Sequence, residues 1–191
     1  MKVIDIGAAK IGVAEKGDKP LKNGVADAVL VAETLKNEVS LGSEIAGASD
    51  FARKWAAVSN ECGCPVLCGC TTRFGSLRHI SVMTFSGGVL ADIADRTLNL
   101  CGGGYGEGDT IKVLRFKNFD FGLLVDTDIL LAKNWKKIAP VCDVIVGIAF
   151  SGGDADFGFI PTYASLFGKP YAVAFASGEV LWGNPLEGLN K

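Results

Sequence analysis

Three short segments of this chain consist almost entirely of apolar residues, and they constrain its fold more than any other feature. They span residues 28–32, 144–150 and 171–176. Runs of this length and composition are typical of strands that are buried on both faces of a sheet. Helical patterns interleave with these strands along the chain, so the sequence predicts an α/β protein.

The remaining patterns complete this prediction. The predicted helices span residues 49–62, 129–138 and 161–168, and further strands span residues 3–8, 65–71, 79–85, 89–91, 111–116 and 121–125. Ser49 can cap the start of the first helix and Gly63 its end, and Pro140 marks the end of the second. Residues 183–191 are predicted to form a loop. Because no repeat or linker interrupts the chain, we expect a single domain over residues 1–191.

The composition narrows the class of protein and of partner. Hydrophobic residues make up 49% of the 191 residues and charged residues 21%, as in globular proteins. The net charge of −2 argues against nucleic acid and anionic membranes as partners, because both attract basic surfaces. No apolar run approaches the ~20 residues of a membrane span, and the N-terminus lacks the long apolar stretch of a signal peptide. We therefore expect a cytoplasmic protein.

Four of the six cysteines lie close together between Cys62 and Cys70, with the spacing C-x-C-x3-C-x-C. Common zinc sites instead pair their ligands as C-x2-C. In a strand, Val66, Cys68 and Cys70 would share one face, and buried cysteines there behave as small hydrophobic residues. The spacing therefore favours packing over metal binding, and a reducing compartment disfavours disulfides.

The segment from Phe121 to Asp128 reads Phe-Gly-Leu-Leu-Val-Asp-Thr-Asp, an apolar strand that ends in two carboxylates. It resembles the nucleophile strand of the carbon–nitrogen hydrolase (nitrilase/amidase) superfamily, whose pattern is an apolar strand ending in Cys-x-Asp. Asp128 stands at the position of the family Asp, and Asp126 stands at that of the catalytic cysteine. Residues 26–33 resemble the strand that supplies the general base of the family, with Glu33 at the position of that base.

Two further segments carry the resemblance. Residues 95–100 resemble the Arg-Lys-x-His-Leu motif of the family, with Arg96 at its Arg and Thr97 in place of its catalytic Lys. Glu107 begins a segment similar to one in which the family can place an auxiliary Glu. The resemblance covers most of the chain in the family order. It implies a four-layer α-β-β-α sandwich, truncated at both ends, that forms a homodimer or a higher homo-oligomer.

The family mechanism implies a function for this chain. A cysteine thiolate attacks an amide or nitrile carbon, a Glu takes protons, and a Lys stabilises the oxyanion. Only Glu33 remains of these three groups. The resemblance therefore implies a nitrilase-like pseudoenzyme that has lost thiol-based hydrolysis and serves as a small-molecule-binding or scaffold protein, without a cofactor. Two alternatives stay open: an active hydrolase of C–N bonds that uses Glu33 and Asp126, and a purely structural homo-oligomer.

The ligand site is predicted at the carboxyl ends of the strands. Glu33 and Asp126 are expected to end neighbouring strands and to face one pocket, with Thr97 at the family Lys position. Two close carboxylates repel each other, so we expect a cationic ligand. The residues expected to bind substrate around this pocket are Glu107, Asp128, Ser151 and Gly152; the last two follow a buried strand, where backbone N–H groups can hold an anionic group.

Overall fold

The computed structural model describes residues 1–14, 18–32, 38–42, 49–97, 104–150 and 157–187. Its strands within these ranges are β1 Lys2–Asp5, β2 Lys10–Ala14, β3 Ala28–Val31, β4 Glu38–Ser40, β5 Val66–Phe74, β6 Leu77–Ser86, β7 Val89–Asp95, β8 Lys112–Phe116, β9 Phe119–Val125, β10 Val144–Ala149, β11 Tyr171–Phe175 and β12 Val180–Gly183. The α-helices are α1 Asp50–Cys62, α2 Ala132–Ile138 and α3 Ile160–Phe167, and short 3-10 segments cover Asp126–Leu130 and Ala139–Val141.

The strands form two sheets. The first has the order β1-β2-β3-β5-β6-β7, and β4 pairs with the far end of β5. The second has the order β12-β11-β10-β9-β8. In the second sheet β9, β10 and β11 are parallel, and antiparallel strands flank them on both sides. The three apolar segments of the sequence thus supply β3, β10 and β11, and every residue of these strands is buried.

The two sheets pack face to face, and helices cover their outer faces. Leu30 and Val82 of the first sheet belong to the same buried cluster as Leu123 and Val146 of the second. On the outer face of the first sheet, α1 packs through Trp55 and its neighbours. On the outer face of the second sheet, α2 and α3 pack over β9, β10 and β11. This arrangement is the predicted α-β-β-α sandwich.

Helix α1 shows how local sequence signals define an element. The Ser49 hydroxyl accepts a hydrogen bond from the backbone N–H of Ala52 at 3.1 Å, and Gly63 ends the helix with a left-handed φ of 61°. Both predicted caps are confirmed. Beneath this helix, Cys62, Cys64, Cys68 and Cys70 are all buried in the apolar cluster between α1 and the first sheet.

The structure also departs from the sequence prediction at several elements. The predicted helix over residues 129–138 is divided: a 3-10 segment comes first, and α2 begins only at Ala132. The predicted strand over residues 3–8 ends at Asp5. Strands β2, β4 and β12 were not predicted. No helix within the described ranges is long and apolar enough to cross a membrane.

Candidate functional site

The carboxyl ends of β3 and β9 lie at the same end of the sandwich. Val31 in β3 pairs with Cys68 in β5, and a Cβ atom on the next residue, Gly69, would lie 2.9 Å from the side chain of Ile148 in β10. Ile148 in turn pairs with Val125, the last residue of β9. β3 and β9 therefore belong to different sheets, and their paired strands β5 and β10 meet across the sheet interface. Glu33, which follows β3, lies outside the described residues.

Asp126 is the first residue after β9 and turns the chain sharply. Its φ is 50°, in the left-handed region, and the residue is 2% exposed. This conformation costs a residue other than glycine roughly 1–2 kcal/mol, although Asp and Asn tolerate it better than most. Such conformations occur often at functional sites. The turn leaves the Asp126 carboxylate buried at the edge of the sheet interface.

Both oxygens of the Asp126 carboxylate are engaged. Oδ2 lies 2.9 Å from Nη1 of Arg96, and Oδ1 accepts a hydrogen bond from the backbone N–H of Phe150 at 3.1 Å. Arg96 is also buried, and its guanidinium lies 5.9 Å from the centre of the Tyr105 ring. Arg96 directly follows β7 of the first sheet and Asp126 directly follows β9 of the second, so this ion pair connects the two sheets.

Asp128 is held in a second contact between the sheets. Its two carboxylate oxygens accept hydrogen bonds from the backbone N–H of Thr97 at 2.9 Å and from the Thr97 hydroxyl at 2.6 Å. The side-chain amide of Asn134 donates to the Asp128 carbonyl at 3.1 Å. Burial raises the pKa of Asp128, and the hydrogen bonds from Thr97 and the charge of Arg96 oppose this shift.

We call these four residues, Arg96, Thr97, Asp126 and Asp128, the carboxylate clasp. In an extended strand, neighbouring residues such as Arg96 and Thr97 would point to opposite faces. In the structure β7 ends at Asp95, so strand alternation does not continue into this pair. Both side chains reach the segment after β9, and the cation beside Asp126 is Arg96, whereas Thr97 binds Asp128.

An open cleft of about 340 Å³ adjoins the clasp. Thr97 and Asn134 line it next to Asp128, Lys133 and Lys137 line it from α2, and Asp109 and Ile111 line it from the segment before β8. The cleft thus carries two ammonium groups and one carboxylate.

Comparisons with known proteins identify the fold. The sequence matches no protein-family model and no curated protein. A cysteine-to-alanine variant of the nitrilase-superfamily amidase from Nesterenkonia AN1 has a TM-score of 0.61 and 17% identity, over 78% of this chain and 63% of its own. A cysteine-to-alanine variant in complex with butyramide has a TM-score of 0.65 and 17% identity, over 84% of this chain and 70% of its own. A glutamate-to-glutamine variant, with the acetamide moiety of fluoroacetamide on its active-site cysteine, has a TM-score of 0.64 and 15% identity, with the same coverage as the butyramide complex.

This chain has the fold of the nitrilase-superfamily amidases. It spans 63% of the length of the first amidase chain and 70% of the other two. The predicted resemblance to carbon–nitrogen hydrolases is therefore confirmed at the level of the fold.

Within this amidase-like fold, the predicted site residues have different placements. Asp126, Asp128 and Thr97 come together in the clasp. Glu107 is exposed, and the residue after it, Gly108, donates a backbone hydrogen bond to the carbonyl of Arg96 at 2.8 Å. The three other predicted residues lie outside the described ranges: Glu33, Ser151 and Gly152.

Sequence reasoning missed several groups at this end of the amidase-like fold. The contact between Arg96 and Asp126 depends on where β7 ends, and no local signal marks that point. The spacing of Lys133 and Lys137, four residues apart in a predicted helix, could have indicated a shared face. Within the described residues, no group of three or more His, Cys, Asp or Glu side chains is arranged to hold a metal ion.

Proposed function

We propose that this chain is a small-molecule-binding protein on the carbon–nitrogen hydrolase fold and that it does not carry out thiol-dependent hydrolysis. The observation that carries this proposal is the position of Asp126 and the set of groups that its carboxylate contacts. This residue follows β9 at the position where the resemblance expects the nucleophilic cysteine, and both of its oxygens are engaged, by Arg96 and by the backbone of Phe150. Its placement therefore supports a structural role for this carboxylate.

The described cysteines support the same proposal. Thiol catalysis requires an accessible thiolate. All five described cysteines are buried, and burial raises the pKa of Cys142 to about 11 and that of Cys64 to about 12. Cys142 packs between the second sheet and its helices, in a cluster that does not include the clasp. Neither group has the environment of an activated nucleophile.

One observation favours the alternative, an active hydrolase that uses Glu33 and Asp126. Hydrolysis of an amide by a carboxylate needs a positive group for the developing oxyanion, and the guanidinium of Arg96 lies beside Asp126. In the arrangement described, however, Arg96 already neutralises Asp126 itself. The first proposal therefore fits the contacts better, because the cation that would serve the transition state is engaged by the nucleophile.

The same ion pair bears on the predicted cationic ligand. That prediction assumed that Asp126 and Glu33 together lack a positive partner. Since Arg96 already lies 2.9 Å from Asp126, one of the two carboxylates has its counter-ion within the chain. A cationic ligand stays a prediction, and it now depends on Glu33 alone.

Turnover assays separate the two functions. The full chain should be assayed on a panel of amides, nitriles and esters, before and after alkylation with iodoacetamide. The proposal expects no turnover in either state. Turnover that is lost on alkylation would refute the proposal by revealing a catalytic thiol.

Turnover that resists alkylation would support the alternative, and Asp126→Asn should then abolish it. Because Asp126→Asn removes the carboxylate that lies beside the buried guanidinium of Arg96, the double variant Arg96→Met/Asp126→Asn should be assayed beside it. A Cys142→Ser variant provides the control, since its thiol has no role in either mechanism.

A further inference from the structure

We infer that the cleft beside the clasp binds a small monocarboxylate. This inference rests on the proposed function, because it names the class of ligand for the proposed small-molecule binding. It departs from the predicted cationic ligand, and the charges that line the cleft are the reason.

The α2 wall of the cleft is positive. Lys133 and Lys137 are four residues apart, so their side chains extend from the same face of the helix. Both are exposed and both line the cleft. An ammonium group offers three hydrogen-bond donors and no acceptor. Two such groups on one wall attract an anion and repel an amine or a metal ion.

The segment before β8 limits the charge of that anion. Asp109 lines the cleft from this segment, so the two lysines outnumber the lining carboxylates by one. Asp128 lies directly behind Thr97, which donates two hydrogen bonds to it. Asp109 in the cleft and Asp128 behind Thr97 would repel a dianion such as phosphate more strongly, whereas a monocarboxylate matches the single excess positive charge. Ile111 on the same segment as Asp109 can contact a short apolar chain.

The part of the cleft next to Asp128 is held by hydrogen bonds. Thr97 donates its hydroxyl hydrogen to Asp128, and Asn134 donates its amide to the Asp128 carbonyl. A hydroxyl that already donates keeps acceptor capacity. Thr97 therefore presents an acceptor to the ligand, which favours an acid that also carries a hydroxyl group. The volume, about 340 Å³, is at the lower end of the ~300–1,000 Å³ typical of ligand pockets, so the ligand is small.

Binding to the full chain can be measured by isothermal titration calorimetry. The test ligands are propionate and lactate, which differ in one hydroxyl group, with inorganic phosphate, Mg²⁺ and propylamine as competing classes. We expect both acids to bind, lactate more tightly than propionate, and we expect the affinity to fall as salt is added. Binding of phosphate, Mg²⁺ or the amine in preference to the acids would overturn the inference.

Variants of the lining residues test the site itself. Replacing both cleft lysines, as Lys133→Met/Lys137→Met, should weaken lactate binding about tenfold, because exposed charges each contribute only modestly and two of them are removed. Lys136→Met is the matched control: this lysine is on the same helix and exposed, but it does not line the cleft. Asp109→Asn should tighten binding, since it removes a like charge.

The outcomes separate this inference from the proposed function. Acid binding that is unaffected in the double lysine variant would overturn the site while leaving small-molecule binding in place. Amide turnover by the wild-type chain would count against the proposed function. It would not change the conclusion drawn from lysine-dependent acid binding. Weaker binding in Asp109→Asn would overturn the assigned role of that carboxylate, and with it the preference for a monoanion.

Discussion

The ion pair between Arg96 and Asp126 makes a quantitative prediction about stability. Its two side chains are 2% and 3% exposed, and their charged atoms are 2.9 Å apart. At an effective dielectric constant near 20, that separation corresponds to an attraction of ~6 kcal/mol, which the cost of removing both charges from water offsets in large part. Removing one partner deletes this attraction while the other charge stays buried. This typically costs ~3–5 kcal/mol.

The substitution Asp126→Asn removes the charge without disturbing the backbone conformation. Asn tolerates a positive φ as well as Asp does, so the turn after β9 is retained. The new amide group must face either the Arg96 guanidinium or the N–H of Phe150, and both of these are donors. We therefore expect the free energy of unfolding to fall by about 3–5 kcal/mol, which lowers the thermal midpoint by roughly 6–20 °C in a chain of this size.

The measurement is urea unfolding of the wild type, of Asp126→Asn, of Arg96→Met and of the double variant. If the pair interacts as described, the double variant should be more stable than the sum of the single effects indicates. Asp120→Asn provides the control, because Asp120 pairs with Arg115 at a similar distance on the exposed surface, where we expect little change. Single effects below ~1 kcal/mol, or additivity within ~0.5 kcal/mol, would refute the reasoning.

Three further predictions concern pH, thiols and packing. Because burial raises the folded-state pKa of Asp128, its contribution to stability is fully present below the unfolded pKa and is lost as pH rises through the folded one. The stability of the wild type relative to Asp128→Asn should therefore fall as the pH rises above the ordinary pKa of an aspartate carboxyl, and a constant difference would contradict this. The raised pKa values of Cys64 and Cys142 predict no alkylation by iodoacetamide in the native protein at about pH 8; mass spectrometry that finds either residue modified within minutes would disprove it. A Cβ atom on Gly69 would lie 2.4 Å from the ring of Phe150, so Gly69→Ala should lower the free energy of unfolding by about 1–3 kcal/mol. Gly42→Ala is the control, because a Cβ atom there meets open space. Equal unfolding midpoints for the two variants would exclude this account.

The parts of the fold that were predictable from the sequence are those with local causes. Helix α1 was predicted with both of its ends, because Ser49 and Gly63 act on residues within one turn of themselves. The central strands were predicted because burial on both faces leaves an apolar run. Strand β2 was missed because Gly12 weakens its pattern. The glycine at this position is explained by tertiary packing, since a Cβ atom on residue 12 would lie 2.7 Å from Leu21.

The candidate site was also predicted only in part. The resemblance selected Asp126, Asp128 and Thr97, and the structure brings all three together. It did not predict that Arg96 contacts Asp126, because that contact depends on β7 ending directly before Arg96. The lysines of the cleft were also missed, since a cleft between α2 and a distant loop has no counterpart in the local pattern.

The clasp also has a consequence for the order in which the molecule assembles. Its contacts join residues 30 and 31 positions apart in the chain, in two different sheets. Neither Arg96 nor Asp126 can lose its hydration before both sheets have formed and met, because burying one charge alone costs several kcal/mol. We therefore expect the clasp to close after the rate-limiting step of folding, so that neutralising Asp126 accelerates unfolding and leaves the refolding rate nearly unchanged.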